Sequence, residues 1–280
     1  MNAREFSLLV KKEYQSKNGA RFFTERALLS ALLEKHGLDR YASLNSPDLV
    51  LECEKELAED LEKLLQGYPL QYYVGTEWFC GYEFEVAPEV LIPRPETEDL
   101  VEKAASLAKE GSVVFDLCCG SGCIGLSLLM KREDLTCRLY DLSDAALSLS
   151  RKNCERFSLA ERCHIEKMDV LSEAVYAEVE KYKPSLIVSN PPYLTEDEMT
   201  RIDENVQNEP KMALFGGKDG LTFYRALISL CARSGTELLC EIGCDQKKGI
   251  EPLLIEGGFE YEFYKDFAGL DRIFHARKIK

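Results

Sequence analysis

Asn190-Pro191-Pro192-Tyr193 carries the sharpest chemical signal in the chain. Each proline fixes its own φ, removes a backbone donor and biases the residue before it towards an extended conformation. The Asn190 side-chain oxygen and the Pro191 main-chain oxygen are therefore expected as a rigid pair of outward acceptors, with the Tyr193 ring as a wall. Two acceptors at fixed angles suit a planar NH2 group, which has two hydrogens to place. Amides and exocyclic amines are poor nucleophiles because the nitrogen lone pair is delocalised. Holding both hydrogens keeps that lone pair facing an electrophile, which is catalysis by orientation more than by proton removal. An isolated match to so short a motif also reads as a stiff turn after a strand, so its surroundings decide.

The preceding residues form the element that would present this cluster. Ser185-Leu186-Ile187-Val188-Ser189, bounded by Pro184, is apolar and rich in β-branching, the pattern of a short buried strand in a parallel sheet. Upstream, strands and helices alternate: strand Val113 to Leu117, helix Cys123 to Lys131, strand Cys137 to Tyr140, helix Asp144 to Phe157, strand Cys163 to Lys167, and a helix near Glu173 to Lys181. Downstream follow helix Leu221 to Ala232, strand Thr236 to Ile242, helix Gln246 to Glu256, and strands Tyr261 to Tyr264 and Arg272 to Ala276. Such alternation predicts an α/β fold with a mostly parallel sheet covered on both faces. The last two strands, with no helix between them, add an antiparallel edge.

Within this pattern, Val113 to Gly122 reads as strand, small-residue turn and helix start. Open α/β sheets bind ligands at the carboxyl ends of their strands, and a turn of Cys118, Cys119, Gly120, Ser121 and Gly122 lets a ligand approach the backbone. The helix start beyond it favours an anionic group. Asp141 follows the next strand at the spacing where a carboxylate would hydrogen-bond a ribose diol. Cysteines stand where a dinucleotide fingerprint has its first glycine, and the turn is short. A nucleoside carrying an amino-acid carboxylate, S-adenosylmethionine, fits better than a pyrophosphate. Asp169 and Val170, after the third strand, are expected to meet an adenine, Asp169 accepting from the exocyclic amine and Val170 by packing. The competing reading of Asp169 is a helix N-cap.

From Phe6 to Leu65 the period is helical instead. Phe6, Leu9, Val10 and Tyr14 share one face, and Phe23, Ala27, Leu28, Ala31 and Leu32 share another, closed by His36-Gly37. Ser46-Pro47 is expected to open a third long helix with Val50, Cys53, Leu57, Leu61 and Leu64 as its stripe, ended by Gly67. Thr76 to Val86 then alternates as a β-hairpin around Gly81, and a helix from about Glu96 to Lys109 follows the stiff Leu91 to Pro95 loop. The expected division is a helical bundle at 1–70, a hairpin linker at 71–92 and the α/β domain at 93–280.

A formal charge of −14 over 280 residues argues against a large phosphate-tracking surface. Eleven cysteines lie scattered between Cys53 and Cys244, and Met1 to Lys12 has no signal-peptide core. Free thiols in a reducing cytoplasm are expected. Cys118, Cys119 and Cys123 have no His or second Cys pair at ligand spacing, so they read as small buried apolar residues and no metal is expected. His36, His164 and His275 fall in no motif and read as structural or surface residues.

Taken together, the chain resembles the release-factor glutamine methyltransferases. The resemblance covers nearly all of it: Gly67-Tyr68-Pro69-Leu70-Gln71-Tyr72 and the hairpin, Ile92 to Glu98, Asp116 to Gly122, Asp141 with Ser143, Asn190 to Tyr193, Glu209-Pro210, Ala213-Leu214, Gly217 to Leu221, and Lys265 to Arg272. Asn-Pro-Pro-Tyr is shared with nucleobase amino methyltransferases, whereas the proline-arginine-proline segment after a helical bundle is more particular to the glutamine enzymes. The resemblance implies a class I, Rossmann-like, S-adenosylmethionine-dependent methyltransferase with a seven-stranded sheet. It further implies methyl transfer to the glutamine amide in the Gly-Gly-Gln loop of peptide chain release factors by a monomer whose bundle binds the release factor. By the same resemblance, Cys118, Cys119, Gly120, Ser121, Gly122, Asp141, Val170 and Asn190 contact the cofactor, and Asn190, Pro191, Pro192 and Tyr193 contact the substrate. Two positions depart from the family pattern: a glycine is usual at 118 and a bulkier residue at 170. The alternatives are glutamine methylation of a ribosomal protein, methylation of a nucleobase amino group, and a cofactor-sensing binding module.

Overall fold

The structure, a computed structural model, describes residues 1–17 and 23–279, which divide into two compact units. Met1–Thr76 and Ile202–Asn208 form the first. Its helices are α1 (Ala3–Ser16), α2 (Glu25–Lys35), α3 (Ala42–Asn45), α4 (Glu54–Leu65) and α5 (Leu70–Val74). A capping box starts α1: the Asn2 side chain accepts from the Glu5 N–H and the Glu5 carboxylate accepts from the Asn2 N–H, both at 2.9 Å. Phe6, Val10, Leu28, Leu32, Leu57, Leu61 and Leu64 meet in one apolar cluster, as their spacing requires.

The expected helix start at Ser46-Pro47 is corrected. The third long helix, α4, begins at Glu54, and Val50 is 69% exposed instead of lying on its stripe. First-turn N–H groups of a helix have no partners within it. Here those of α1 recruit residues 47–51: Ala3 and Arg4 donate to the Leu49 and Pro47 carbonyls at 2.9 and 3.0 Å, and Leu51 donates to the Met1 carbonyl at 3.0 Å. A backbone committed to capping a neighbour cannot also coil into its own helix.

The second unit comprises 77–201 and 209–280. It opens with a hairpin of β1 (Thr76–Phe79) and β2 (Tyr82–Glu85), turned by Cys80 and Gly81 at positive φ. A 3-10 turn at Pro95–Thr97 leads into α6 (Glu98–Leu107). The chain then runs through β3 (Val113–Leu117), α7 (Cys123–Lys131), β4 (Thr136–Asp141), α8 (Asp144–Arg156), β5 (Cys163–Lys167), α9 (Ala174–Tyr182) and β6 (Leu186–Ser189). After α10 (Lys211–Leu214) come α11 (Thr222–Ser234), β7 (Glu237–Glu241), α12 (Lys247–Glu256), β8 (Phe259–Lys265) and β9 (Asp271–Lys278).

These strands form a seven-stranded sheet in the order β5-β4-β3-β6-β7-β9-β8, with β9 antiparallel to both its neighbours and the rest parallel. Alternate strand residues feed different cores. Phe115, Leu117, Ile187 and Leu238 enter one cluster, while Val114, Leu186, Val188 and Leu239 enter the other. Strand order reverses between β3 and β6, which opens a crevice at their carboxyl ends. Leu117 pairs with Tyr140 on one side and Ser189 on the other, so Cys118, Asp141 and Asn190 leave the sheet side by side.

Asn153, fully buried on α8, fastens the hairpin to this edge. It accepts from the Glu85 N–H at 2.8 Å and donates to the Glu85 and Ser121 carbonyls at 3.1 and 3.0 Å. Asn153→Ala strands three backbone groups at about 1 kcal/mol or more each, so an unfolding titration in urea is expected to show a loss of roughly 3 kcal/mol.

Candidate active site

Cys118 to Gly122 carry the chain from β3 into α7, with Cys118, Gly120 and Gly122 at φ 63°, 56° and 80°. Only glycine enters this region freely, so the Cys118 side chain costs about 1 to 2 kcal/mol. The turn is held from several directions. Asp141 Oδ2 accepts from the Gly120 N–H at 2.9 Å, Ser150 Oγ donates to the Gly120 carbonyl at 2.7 Å, and Asn153 holds Ser121. A Cβ on Gly122 would lie 3.1 Å from Leu126 and Leu139, which makes it a packing position behind the turn.

Asp141 ends β4 and also accepts from the Ser143 N–H at 2.9 Å through its other oxygen. Burial raises its pKa, and the backbone N–H groups of Ser143, Gly120 and Leu142 oppose the rise. Each oxygen keeps a further lone pair for a ligand hydroxyl. Asp169, exposed after β5, accepts from the Leu171 N–H at 2.9 Å in an Asx turn. It does not cap α9, whose N-cap residue is Glu173. Val170 beside it is buried.

One cleft gathers most of the expected residues: Cys118, Cys119, Gly120, Ser121, Asp141, Asp169, Val170, Asn190 and Pro192 line it, and Gly122, Pro191 and Tyr193 do not. Tyr193 packs against the core cluster that contains Tyr224, and burial pushes its phenol up to about 12, so it stays neutral.

Past β6 the chain is locked. Gln246 Nε2 donates to the Tyr193 carbonyl at 2.8 Å, and Leu194 exchanges backbone bonds with Leu214 and Gly216, each 2.8 Å. A Cβ on Gly216 would sit 2.6 Å from Tyr193 Cα. Asn190 Nδ2 donates to Thr97 Oγ1 at 3.3 Å, and Thr97 Oγ1 donates to Glu241 Oε2 at 2.6 Å. No donor among the described residues bonds Asn190 Oδ1 or the Pro191 main-chain oxygen. Asn190 lines the cleft, whereas Pro191 is buried beside it.

Several contributors were given no role by the sequence, although Thr97 and Glu209 lie in segments that carry the resemblance. Ser150 and Asn153 show only as polar residues three apart on the buried face of α8. Glu209 is buried and joins Ile92, whose N–H it accepts at 3.2 Å, to Arg94, with which it forms an ion pair. Thr97 and Glu241 lie 144 residues apart and meet only in the fold.

The charged residues lining the cleft are Glu89, Arg94, Asp141 and Asp169, and the arginine is already paired with Glu209. A pyrophosphate would meet carboxylates with no unpaired cation. A cationic sulfonium carrying a ribose diol and an adenine amine would meet acceptors, so these residues fit S-adenosylmethionine. Neither His36 nor His275 lines the cleft. Each is bonded at 2.9 Å to a carboxylate, Asp60 and Glu237 respectively.

Cys118→Gly removes the side-chain penalty in the left-handed region and is expected to raise the melting temperature by about 2 to 4 °C in a thermal scan. Cys118→Ala keeps the Cβ and is expected to show no gain.

Comparison with known proteins agrees with this geometry. A family model described as "Methyltransferase small domain" matches residues 96–217. The release factor glutamine methyltransferase of Clostridium botulinum is 38% identical over 262 residues, covering 90% of this chain and 90% of that protein. Its counterpart from Bacillus subtilis is 35% identical over 263 residues, 89% of each. The solved hMettl16 catalytic domain superposes with a TM-score of 0.57 at 14% identity over 70% of this chain and 75% of that one, a likeness of fold. The sheet is that of the class I methyltransferases, and the chain belongs to the release factor glutamine methyltransferase family.

Proposed function

We propose that this enzyme transfers a methyl group from S-adenosylmethionine to the side-chain amide nitrogen of the glutamine in the Gly-Gly-Gln loop of peptide chain release factors, in the cytoplasm. The observation that carries this reading is the pair of unengaged acceptors, Asn190 Oδ1 and the Pro191 carbonyl, at the carboxyl end of β6 beside the Asp141 cleft. S-adenosylmethionine bound there would supply a methyl carbon activated by its sulfonium; the N–C bond would form as the C–S bond breaks with its electron pair left on sulfur, and the nitrogen would pass one proton to water.

The chain's residues supply alignment. Asn190 and Pro191 hold the two amide hydrogens, Pro192 and Tyr193 stiffen the loop, and Gly216 and Gln246 keep it in place. Asp141 takes the ribose hydroxyls. Asp169 and Val170 receive the adenine, and Cys118, Cys119, Gly120, Ser121 and Gly122 form the turn around the amino-acid portion. Near-attack alignment of this kind is worth on the order of 7 to 11 kcal/mol in favourable cases. The amide proton becomes acidic only once the N–C bond begins to form, so no dedicated base is required. The helical unit is assigned the grip on the release factor beyond the glutamine.

A transfer assay with labelled methyl, offering release factor, duplex DNA and ribosomes in parallel, is expected to label release factor alone; label on DNA or a ribosomal protein would replace this reading. Asn190→Ala should lose most of kcat with little change in cofactor affinity, whereas Asp141→Ala should weaken cofactor binding, and calorimetry with turnover separates the two. Gly216→Ala forces the Tyr193 backbone to move and is expected to lower kcat by about a hundredfold, as an ångström-scale displacement does.

A further inference from the structure

Asparagine presents an oxygen on one side of its amide and an NH2 on the other, and a half-turn of the group exchanges them. Only one of the two orientations can accept a substrate hydrogen, so something must hold it. Thr97 and Glu241 are both 2% exposed, and neither is among the residues that meet the reacting atoms in the reading above. Their 2.6 Å separation is that of a hydroxyl donating to a carboxylate. A hydroxyl has a single proton. With that proton committed to Glu241, Thr97 Oγ1 can only accept from Asn190, and the atom it faces must be Nδ2.

We infer that Glu241 sets the polarity of Asn190 through Thr97: a carboxylate at 241 obliges Thr97 to receive the Asn190 NH2, which turns Oδ1 towards the substrate amide. This rests on the assignment of Asn190 Oδ1 to that amide made above. Thr97 and Glu241 are thus positioning residues.

The relay reverses on protonation. A neutral Glu241 donates its own proton to Thr97, whose hydroxyl then points at Asn190. Asn190 answers with Oδ1 and offers its NH2 to the substrate, donor against donor. Burial pushes Glu241 up to about 7, opposed by the Thr97 hydrogen bond. The charged groups acting on it are Arg272 from β9, and Arg94 and Glu96 from the segment before α6; the arginines favour its charge and Glu96 disfavours it. Tyr193 after β6, Tyr224 on α11, Cys123 on α7 and Cys240 on β7 also face it. An acid of this kind is ionised above its pKa, so the productive orientation holds above about pH 7 and is lost as pH falls through that value.

The test is the pH profile of kcat at saturating release factor and S-adenosylmethionine, for the native enzyme, Glu241→Gln, Thr97→Val and Thr97→Ser, with KM and cofactor Kd measured alongside. The native profile is expected to fall below the inflection towards a plateau roughly three- to tenfold lower, since a neutral carboxyl, like glutamine, can either donate or accept. Glu241→Gln should remove the inflection and lower the upper plateau by roughly three- to tenfold, since glutamine can either donate or accept. Thr97→Val should lose about tenfold in kcat at every pH with KM and Kd nearly unchanged, and Thr97→Ser should restore both rate and inflection. Native kcat in Thr97→Val, or an unaltered inflection in Glu241→Gln, overturns the inference. If Thr97→Val fails to bind cofactor, the Glu241→Gln profile decides alone. Asn190→Ala keeps the two levels apart. If it turns over normally, the assignment of Asn190 itself falls. If it is inactive while the Thr97 and Glu241 variants behave as native, only the relay falls.

Discussion

A threonine hydroxyl has one proton to give, and in this fold Thr97 gives it to a buried carboxylate. That commitment propagates outward: Thr97 must accept, Asn190 must donate to it, and the Asn190 oxygen is left for whatever enters the cleft. An amide is an unpromising nucleophile, and the residues around it add no strong base. In the proposed reading, what they contribute is direction, a pair of acceptors fixed in angle at the point where β6 stops. Direction is useful only if the acceptors do not drift. Much of the sheet unit near the cleft can be understood as restraint on a few atoms.

The restraint begins with topology. Placing β6 beside β3, on the side away from β4, brings the ends of three strands to one crevice, and register sets Cys118, Asp141 and Asn190 level with one another. Loops leaving such an edge would wander without ties. Ser150 and Asn153 hold the turn after β3 from α8, Gln246 holds the chain after β6 from the start of α12, and Glu209 holds the Ile92 to Arg94 wall. Each tie is a polar side chain, buried at Ser150, Asn153 and Glu209 and partly buried at Gln246, that satisfies backbone groups which would otherwise be desolvated without a partner. Among the non-glycine residues at positive φ, Cys118 lies in the turn after β3 that lines the cleft, and strain held by surrounding structure is commonly found at such places.

The alternation of strands and helices was legible because buried parallel strands are short continuous apolar runs, as at Val113–Leu117 and Leu186–Ser189, while the edge strand Cys163–Lys167 is largely exposed and was placed by its position between two helical patterns. The end of β6 at Ser189 was equally plain, since Pro191 and Pro192 restrict their neighbours locally. Failure came where a distant partner decided the outcome. Ser46-Pro47 has the local chemistry of a helix start, yet its neighbours serve as acceptors for the first turn of α1. Residues 195–220 carry no periodic pattern, because their placement depends on single contacts such as those of Leu194 with Leu214 and Gly216. Thr97 reads as one residue of a stiff loop and Glu241 as the end of a strand. A carboxylate in a buried strand was the available signal, for such a group requires a partner, but nothing local names which.

The central claim concerns which atoms face the reacting amide, and it is most directly tested by a crystal structure with S-adenosylhomocysteine and a peptide carrying the glutamine loop. The account predicts the glutamine nitrogen about 2.8 to 3.2 Å from both Asn190 Oδ1 and the Pro191 carbonyl, with Asn190 Nδ2 on Thr97. A glutamine nitrogen held by other groups, or an Asn190 that presents its NH2 to the substrate, would contradict it.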